Sequence, residues 1–430
     1  MRFHINLKAI FRHPFNRNER RLYRHDLISA YRRKLILTKL RRSSHLKTVL
    51  MVTNNWGGGT DRHLQELTQS VIGMLNVVNL RITDKELQLT IPEEPDHPLE
   101  IAPSRREEII DTLRQFGVAR AHIHQFLGQE SLIRSIIAEL AIPFDLTVHD
   151  YYLICPQTHL CMPNTDRYCG EHGEKQCDQC VSINNPFGAF GIGMWRTQHA
   201  WFVENAERII CPTRDVEDRI TKYYPRAKLV LAPHEASTSD KWIVKPRRIS
   251  LGQPLRVALI GHLVAHKGRE IVEACLRQGT QTPIEFVLIG AAQPPMSADL
   301  SVKFSQTGAY EESELTRLLE ELAPHVIWFP QSEPETYSYT LTAAIDSGLP
   351  IVATRIGALP ERLDGRPLTW LVDDADAPAS KRLATLESVR EKLLEVPLSP
   401  QTGRRDKTQS FYPAGYLSFL LRVDNTERIA

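Results

Sequence analysis

Phe329-Pro-Gln-Ser-Glu-Pro-Glu-Thr-Tyr-Ser-Tyr-Thr-Leu-Thr-Ala-Ala-Ile-Asp-Ser-Gly-Leu-Pro-Ile-Val-Ala-Thr-Arg-Ile-Gly-Ala-Leu-Pro-Glu361 is the stretch that decides the fold. The run His325-Val-Ile-Trp-Phe329 reads as a buried strand ending at Pro330, and an acidic loop follows it. A helix opens around Ser338 to Thr340, where hydroxyls and main-chain amides are available to meet phosphate. Gly348 is a left-handed helix stop, and Pro350 leads into the strand Pro350-Ile-Val-Ala353. A strand, a helix and a further strand in succession imply a parallel sheet.

The same alternation extends in both directions. Leu255-Arg-Val-Ala-Leu-Ile-Gly261 and Ile284-Glu-Phe-Val-Leu-Ile-Gly290 are further strands of this carboxyl-terminal domain, expected over 254–385. Upstream, Thr48 to Thr53, Ala121 to His124, Phe144 to Val148 and Arg208 to Cys211 read as strands, with a helix from Glu130 to Leu140. They form a first α/β domain over 44–236, joined by a polar, aperiodic linker at 237–253. A terminal helical segment, 386–430, can return to the first domain. Two domains suit 430 residues, and 42% hydrophobic with 24% charged residues is ordinary globular composition.

A net charge of +2 hides an asymmetry. Fourteen lysines and arginines lie between Arg2 and Lys47, opposed only by Glu19 and Asp26, so 1–43 reads as a basic extension on an acidic body. Leu27, Ile28, Tyr31 and Leu35 recur at helical spacing within it, as in an amphipathic helix suited to an anionic membrane surface or to packing on the body. No nucleic-acid motif accompanies the charge. The start lacks a secretory apolar run and no later run is long enough to span a bilayer, so a cytoplasmic location, peripheral at the membrane's inner face, is expected.

Three loops carry candidate chemistry. Gly57-Gly58-Gly59 joins a strand to a helix, where absent side chains let amides approach an anion; its spacing is neither the dinucleotide fingerprint nor a P-loop, which disfavours nicotinamide and ATP enzymes. Gly261-His-Leu-Val-Ala-His-Lys-Gly268 places an ammonium beyond a strand's carboxyl end, suited to a leaving diphosphate. Cys161, Cys169, Cys177 and Cys180, in the insertion 155–180, can supply four thiolates to a structural zinc or remain free, with Cys155 structural beside Pro156.

Taken in order, Gly58-Gly59, Val148-His-Asp-Tyr-Tyr152 with Cys155-Pro156, Cys211-Pro-Thr213, Tyr224-Pro225, Ala232-Pro-His234, Gly261 to Gly268 and Pro334 to Leu341 resemble the group 1 (family four) retaining glycosyltransferases. The likeness spans Thr48 to Leu371. It implies a GT-B architecture, two Rossmann-like domains with parallel sheets facing a central cleft, and sugar transfer from a nucleotide-sugar donor to a saccharide or lipid-linked acceptor, as in bacterial surface polysaccharide or lipopolysaccharide synthesis. It puts Lys267 on the donor diphosphate, Glu335 on the donor sugar and His149 facing the reacting centre. Gly58, Gly59, Gly261, His262, Thr336, Tyr337, Ser338, Tyr339, Thr340 and Leu341 line the donor, and no cofactor is required for catalysis. Two positions depart from the pattern: Ala343 stands where a second glutamate commonly holds the donor ribose, and His262 where an arginine is usual. A nucleotide-sugar epimerase or an inverting transferase on the same fold, or a binding protein without turnover, are the competing readings.

Overall fold

The computed structural model describes residues 17–55, 57–235, 244, 248–279, 283–297, 299–300, 304–373, 375–395, 412 and 414–421. The expected linker 237–253 lies largely outside these residues, as do 1–16 of the basic extension and 396–411 of the terminal segment. The strands form two mostly parallel sheets, and the chain divides into two compact units, Met1–Gly57 with Leu64–Phe144, and Gly58–His63 with Asp145–Ala430.

The first unit contains α1 (Arg17–Arg42), β1 (Thr48–Asn54), most of α2 (Gly58–Val71), β2 (Asn76–Ile82), β3 (Leu87–Thr90), β4 (Leu99–Ile101), α3 (Arg106–Gln115), β5 (Val118–Ile123) and α4 (Glu130–Leu140). Its strands run in the order β4-β3-β2-β1-β5. β1 pairs in parallel with β2 and β5, and is buried along its whole length, as a central strand covered on both faces must be. β2, β3 and β4 pair antiparallel, a meander that the alternation expected from the sequence does not include. Helix α1 packs on this unit through Ile36 and Leu40. Its bases pair with acids of the body: Arg33 with Glu108 at 2.5 Å, Arg32 with Glu100 and Lys39 with Glu94, both at 3.6 Å. Among the described residues no helix is long and apolar enough to cross a membrane.

The second unit opens with the first turn of α2 and continues through β6 (Phe144–Thr147), α5 (Glu174–Ile183), α6 (Ile192–Asn205), β7 (Arg208–Cys211), α7 (Arg214–Tyr223) and β8 (Leu229–Leu231), with β6, β7 and β8 parallel. Then follow β9 (Leu255–Leu263), α8 (Arg269–Gln278), β10 (Ile284–Ala292), β11 (Phe304–Gln306), α9 (Leu315–Leu322), β12 (Val326–Phe329), α10 (Tyr339–Ser347), β13 (Ile351–Thr354), α11 (Ala358–Arg362), β14 (Thr369–Val372) and α12 (Ala379–Glu395). Six of these strands make an all-parallel sheet in the order β11-β10-β9-β12-β13-β14.

Alternate residues of a strand face opposite sides of its sheet, and the two cores of this sheet follow that rule. Val257, Leu259, Trp328 and Val352 pack on one side with Val272 and Cys275 of α8 and Leu386 and Val389 of α12. Ala258, Ile327, Ile351 and Ala353 pack on the other with Leu319 of α9 and Leu341 and Ala344 of α10. The terminal 3₁₀ turn Tyr416–Leu421 reaches β7, where Arg208 pairs with the buried Asp145 and donates from Nη1 to the Tyr416 carbonyl at 2.9 Å.

Candidate functional site

The loop between β12 and α10 lies against two glycines that no other residue could replace without displacing it. A Cβ on Gly268 would come within 2.8 Å of the Pro330 carbonyl oxygen, and one on Gly357 within 2.6 Å of both Glu335 N and O. Both glycines have positive φ, at 89° and 58°. The Ala358 amide donates to Glu335 O at 2.8 Å and fixes the backbone of that glutamate.

Lys267, at the end of the β9–α8 loop, meets this loop through its carboxylates. Its ammonium bonds Glu335 Oε1 and lies 3.1 Å from Glu333 Oε1, while Gln331 Nε2 also donates to Glu335 Oε1 at 3.4 Å. Burial acts to lower the ammonium's pKa, but the Glu335 and Glu333 carboxylates outweigh it and hold it above the ordinary lysine value. Burial likewise acts to raise the Glu333 pKa, and Lys267 and then His159 override it and hold the carboxyl well below the usual range. The sequence places this ammonium beyond a strand end; the structure adds two shielded carboxylate partners.

His159 and His266 complete a cluster around Glu333. Their rings stack with centroids 4.2 Å apart and planes 14° apart, and both address Glu333 Oε2, His159 from Nδ1 at 2.8 Å and His266 from Nε2 at 3.9 Å. Further bonds tie the same loop to the insertion: Tyr168 N donates to Ser332 O at 3.0 Å, and Ser332 Oγ to Asp166 O at 3.1 Å. His149 follows β6, and its carbonyl accepts from Thr336 Oγ1 at 2.9 Å; Thr213 Oγ1 donates to Thr336 O at 3.1 Å. The His149 ring lies among those of His63 and His234, at centroid distances of 5.2 and 4.8 Å.

Helix α10 starts from an unusual residue. Ser338 caps it at φ 73°, a left-handed conformation rare for a residue with a side chain. Arg362 of α11 holds this turn, donating from Nη1 to Tyr337 O (2.8 Å) and Ser338 O (2.7 Å) and from Nη2 to Thr342 Oγ1 (2.7 Å), with its guanidinium 3.8 Å from the Tyr337 ring centroid. Leu341 is drawn into the core and its amide donates to Ser338 O, so it presents neither side chain nor amide to a ligand. Gly58, at φ 74°, and Gly59 form the first turn of α2, and Gly59 lies against the Tyr339 ring.

One turn further, Arg62 stands 4.4 Å from the Tyr339 ring centroid and pairs with Glu235 at 3.0 Å and Glu312 at 2.6 Å. Beside it opens a cavity of about 450 Å³, within the usual size of a small-ligand site. Arg62, Gly261, His262, Tyr339, Thr340 and Ala343 line it. A smaller depression that shares His262 and Thr340 is lined by Lys267, Gln331 and Glu335. The structure therefore brings Gly261, His262, Tyr339 and Thr340 to one cavity, with Lys267 and Glu335 next to it. Arg62, Glu235 and Arg362 escaped the sequence reading; the Arg62 position, one turn past a glycine loop, was the available signal.

In the insertion, Cys161 is buried and its Sγ donates to His159 O, while Cys177 and Cys180 lie one turn apart on α5. Burial pushes the Cys155 thiol up to about 12, opposed by a hydrogen bond to the Gln157 backbone and aided by the nearby Cys169, Cys180 and Cys177. Among the described cysteines none is joined in a disulfide.

By sequence the chain matches no family model and no curated protein. By structure it is similar to sucrose-phosphate synthase from Thermosynechococcus elongatus, with 16% identity and a TM-score of 0.52 over 81% of this chain and 94% of that one. It is similar also to HepE of Anabaena in complex with UDP, with 12% identity and a TM-score of 0.51 over 81% and 94%. A third is WaaG, a glycosyltransferase involved in lipopolysaccharide biosynthesis, at 11% identity and a TM-score of 0.52 over 81% and 90%. The chain thus has the GT-B fold expected from its sequence.

Proposed function

We propose that this chain is a glycosyltransferase that moves a sugar from a nucleotide-sugar donor to a saccharide or lipid-linked acceptor with retention of anomeric configuration. One observation carries the reading: Lys267 and Glu335 are held together beside a cavity lined by Gly261, His262 and Thr340. The donor's nucleoside occupies the cavity and its diphosphate lies across the start of α10, where helix amides and Lys267 meet its charge. A neighbour of the same fold solved with UDP favours a uridine diphosphate sugar. Glu335 orients the sugar hydroxyls. The departing diphosphate takes the proton of the incoming acceptor hydroxyl as the glycosidic bond forms on the face it leaves. Lys267, His262 and the helix amides stabilise the charge growing on it, which is the protein's largest contribution to the rate.

Ala343 on the cavity wall favours a second reading, a nucleotide-sugar-binding protein without turnover, because its methyl group cannot hold a ribose as a carboxylate at that position would. For the insertion, the reading keeps a structural zinc on Cys161, Cys169, Cys177 and Cys180. For 1–43 it keeps contact with an anionic membrane surface, through bases of α1 other than those paired with the body.

The experiment is a screen of nucleotide sugars with candidate acceptors, read by nucleotide release and by the anomeric configuration of the product. Transfer with retention supports the proposal. Inversion, epimer formation, or binding without release from every donor each contradicts it in favour of a named competitor.

A further inference from the structure

Next to Lys267, outside the cavity, two imidazoles gather around the buried carboxylate of Glu333. We propose that His159, His266 and Glu333 form a binding site for a divalent transition-metal ion of the zinc class. A ring nitrogen of His159, a ring nitrogen of His266 and a carboxylate oxygen of Glu333 all lie within 4.8 Å of one another. The three residues come from three separate segments: the insertion after β6, the β9–α8 loop and the β12–α10 loop.

The arrangement is hard to explain as hydrogen bonding alone. One carboxylate oxygen, Glu333 Oε2, is addressed by two imidazole nitrogens, and only His159, at 2.8 Å, is close enough to share a proton with it. His266, at 3.9 Å, is aimed at the same oxygen without reaching it. Two stacked imidazoles converging on one carboxylate oxygen are the nitrogen and oxygen donors that zinc and its neighbours prefer, whereas magnesium and calcium favour oxygen alone. Bonds of about 2.0–2.2 Å to such ligands require one imidazole to turn out of the stack, because a metal lies in the plane of each ring that binds it and these planes are 14° from parallel.

Charge favours the same conclusion. Glu333 and Glu335 are both largely shielded from water, with side chains 4% and 10% exposed, and they share the single ammonium of Lys267. A protonated His159 offsets one of the two carboxylates, but a neutral His159 leaves an excess negative charge in a buried setting, where an uncompensated charge is costly. A cation at Glu333 Oε2 neutralises it while Lys267 remains on Oε1, a second partner that orients the ligating carboxylate. His159, with half its side chain exposed, leaves an open side through which an ion enters and where water completes the coordination. The metal would then link the insertion to the two loops that carry Lys267 and Glu335.

The test must separate this site from the cysteines. Metal-stripped full-length protein is dialysed against Zn²⁺ and its content compared with His159→Ala, His266→Gln and Cys177→Ser/Cys180→Ser variants, each first checked for native circular dichroism. The proposal predicts one equivalent of zinc lost in each histidine variant and retained in the cysteine variant. In the cysteine variant, Co²⁺ should give visible d–d bands without a thiolate charge-transfer band. Equal zinc in wild type and both histidine variants, or loss of all zinc in the cysteine variant, overturns it. A readout that needs no variant is carbethoxylation of the wild-type protein followed by peptide mass analysis. Zn²⁺ should protect the His159 and His266 peptides while Mg²⁺ should not, and equal labelling with and without Zn²⁺ overturns the site.

Discussion

Arg362 Nη1 lies 2.7 Å from the carbonyl oxygen of Ser338, the residue that opens helix α10 in a left-handed conformation. A side chain at that φ costs about 1–2 kcal/mol, and the arginine holds the turn in place by bonding two successive carbonyls and the Thr342 hydroxyl. Arg362→Ala should therefore destabilise the protein by about 2–3 kcal/mol, the loss of several charge-assisted bonds. Ser338→Gly should be neutral or stabilise by less than about 1 kcal/mol, since relief of the φ strain is offset by glycine's extra chain entropy. Urea unfolding of both variants checks this; a stable Arg362→Ala protein would show that the turn does not depend on the arginine.

Gly357 should tolerate no side chain. Alanine there meets Glu335 N and O at 2.6 Å and must adopt φ 58° with ψ −138°, a region that is nearly glycine's alone. Gly357→Ala is expected to lose about 3 kcal/mol of stability and, in the protein that remains folded, to weaken donor binding by moving Glu335. Thermal melts and donor titration measure the two effects separately. Gly365→Ala, at positive φ but with nothing near its Cβ, is the control, expected to lose about 1 kcal/mol without affecting the donor.

Stability should fall in mild acid because of His63. Burial lowers its pKa to about 3, a hydrogen bond to the His234 backbone opposing the effect only in part, so the folded protein keeps the ring neutral. The unfolded chain protonates near 6.5. The contribution of His63 is thus fully present above about pH 6.5 and is lost progressively as pH falls toward 3. At about pH 5 the loss is about 2 kcal/mol. Denaturant unfolding at neutral pH and at about pH 5 should show a smaller acid penalty, by that amount, in His63→Phe. Identical penalties in the two proteins would mean that His63 is charged in the fold.

Much of this architecture was legible in the sequence because local pattern and tertiary context agree. The helix Glu130–Leu140, the strand Arg208–Cys211 and the stop at Gly348 stand where periodicity and glycine chemistry put them. Strands β3 and β4 went unread although Leu87-Gln-Leu-Thr90 and Leu99-Glu-Ile101 alternate, because three or four residues carry too little periodicity against a prior of parallel strands. Lys267 and Glu335 were legible as motif residues, but their mutual bond was not, since it joins positions 68 residues apart. Arg62, Glu235 and Arg362 had no motif of their own; only the folded chain assembles them around Tyr339 and Thr342. Glu333, His159 and His266 escaped for the same reason.

The turnover of Lys267→Ala with the donor that the wild-type protein uses tests the account most directly. This substitution also removes the partner of two shielded carboxylates, so a lower melting temperature is expected, and turnover is measured where circular dichroism shows the variant folded. If Lys267 opposes the charge of the leaving diphosphate, the rate falls by roughly a hundredfold or more. A folded Lys267→Ala protein that transfers sugar at the wild-type rate would contradict the account.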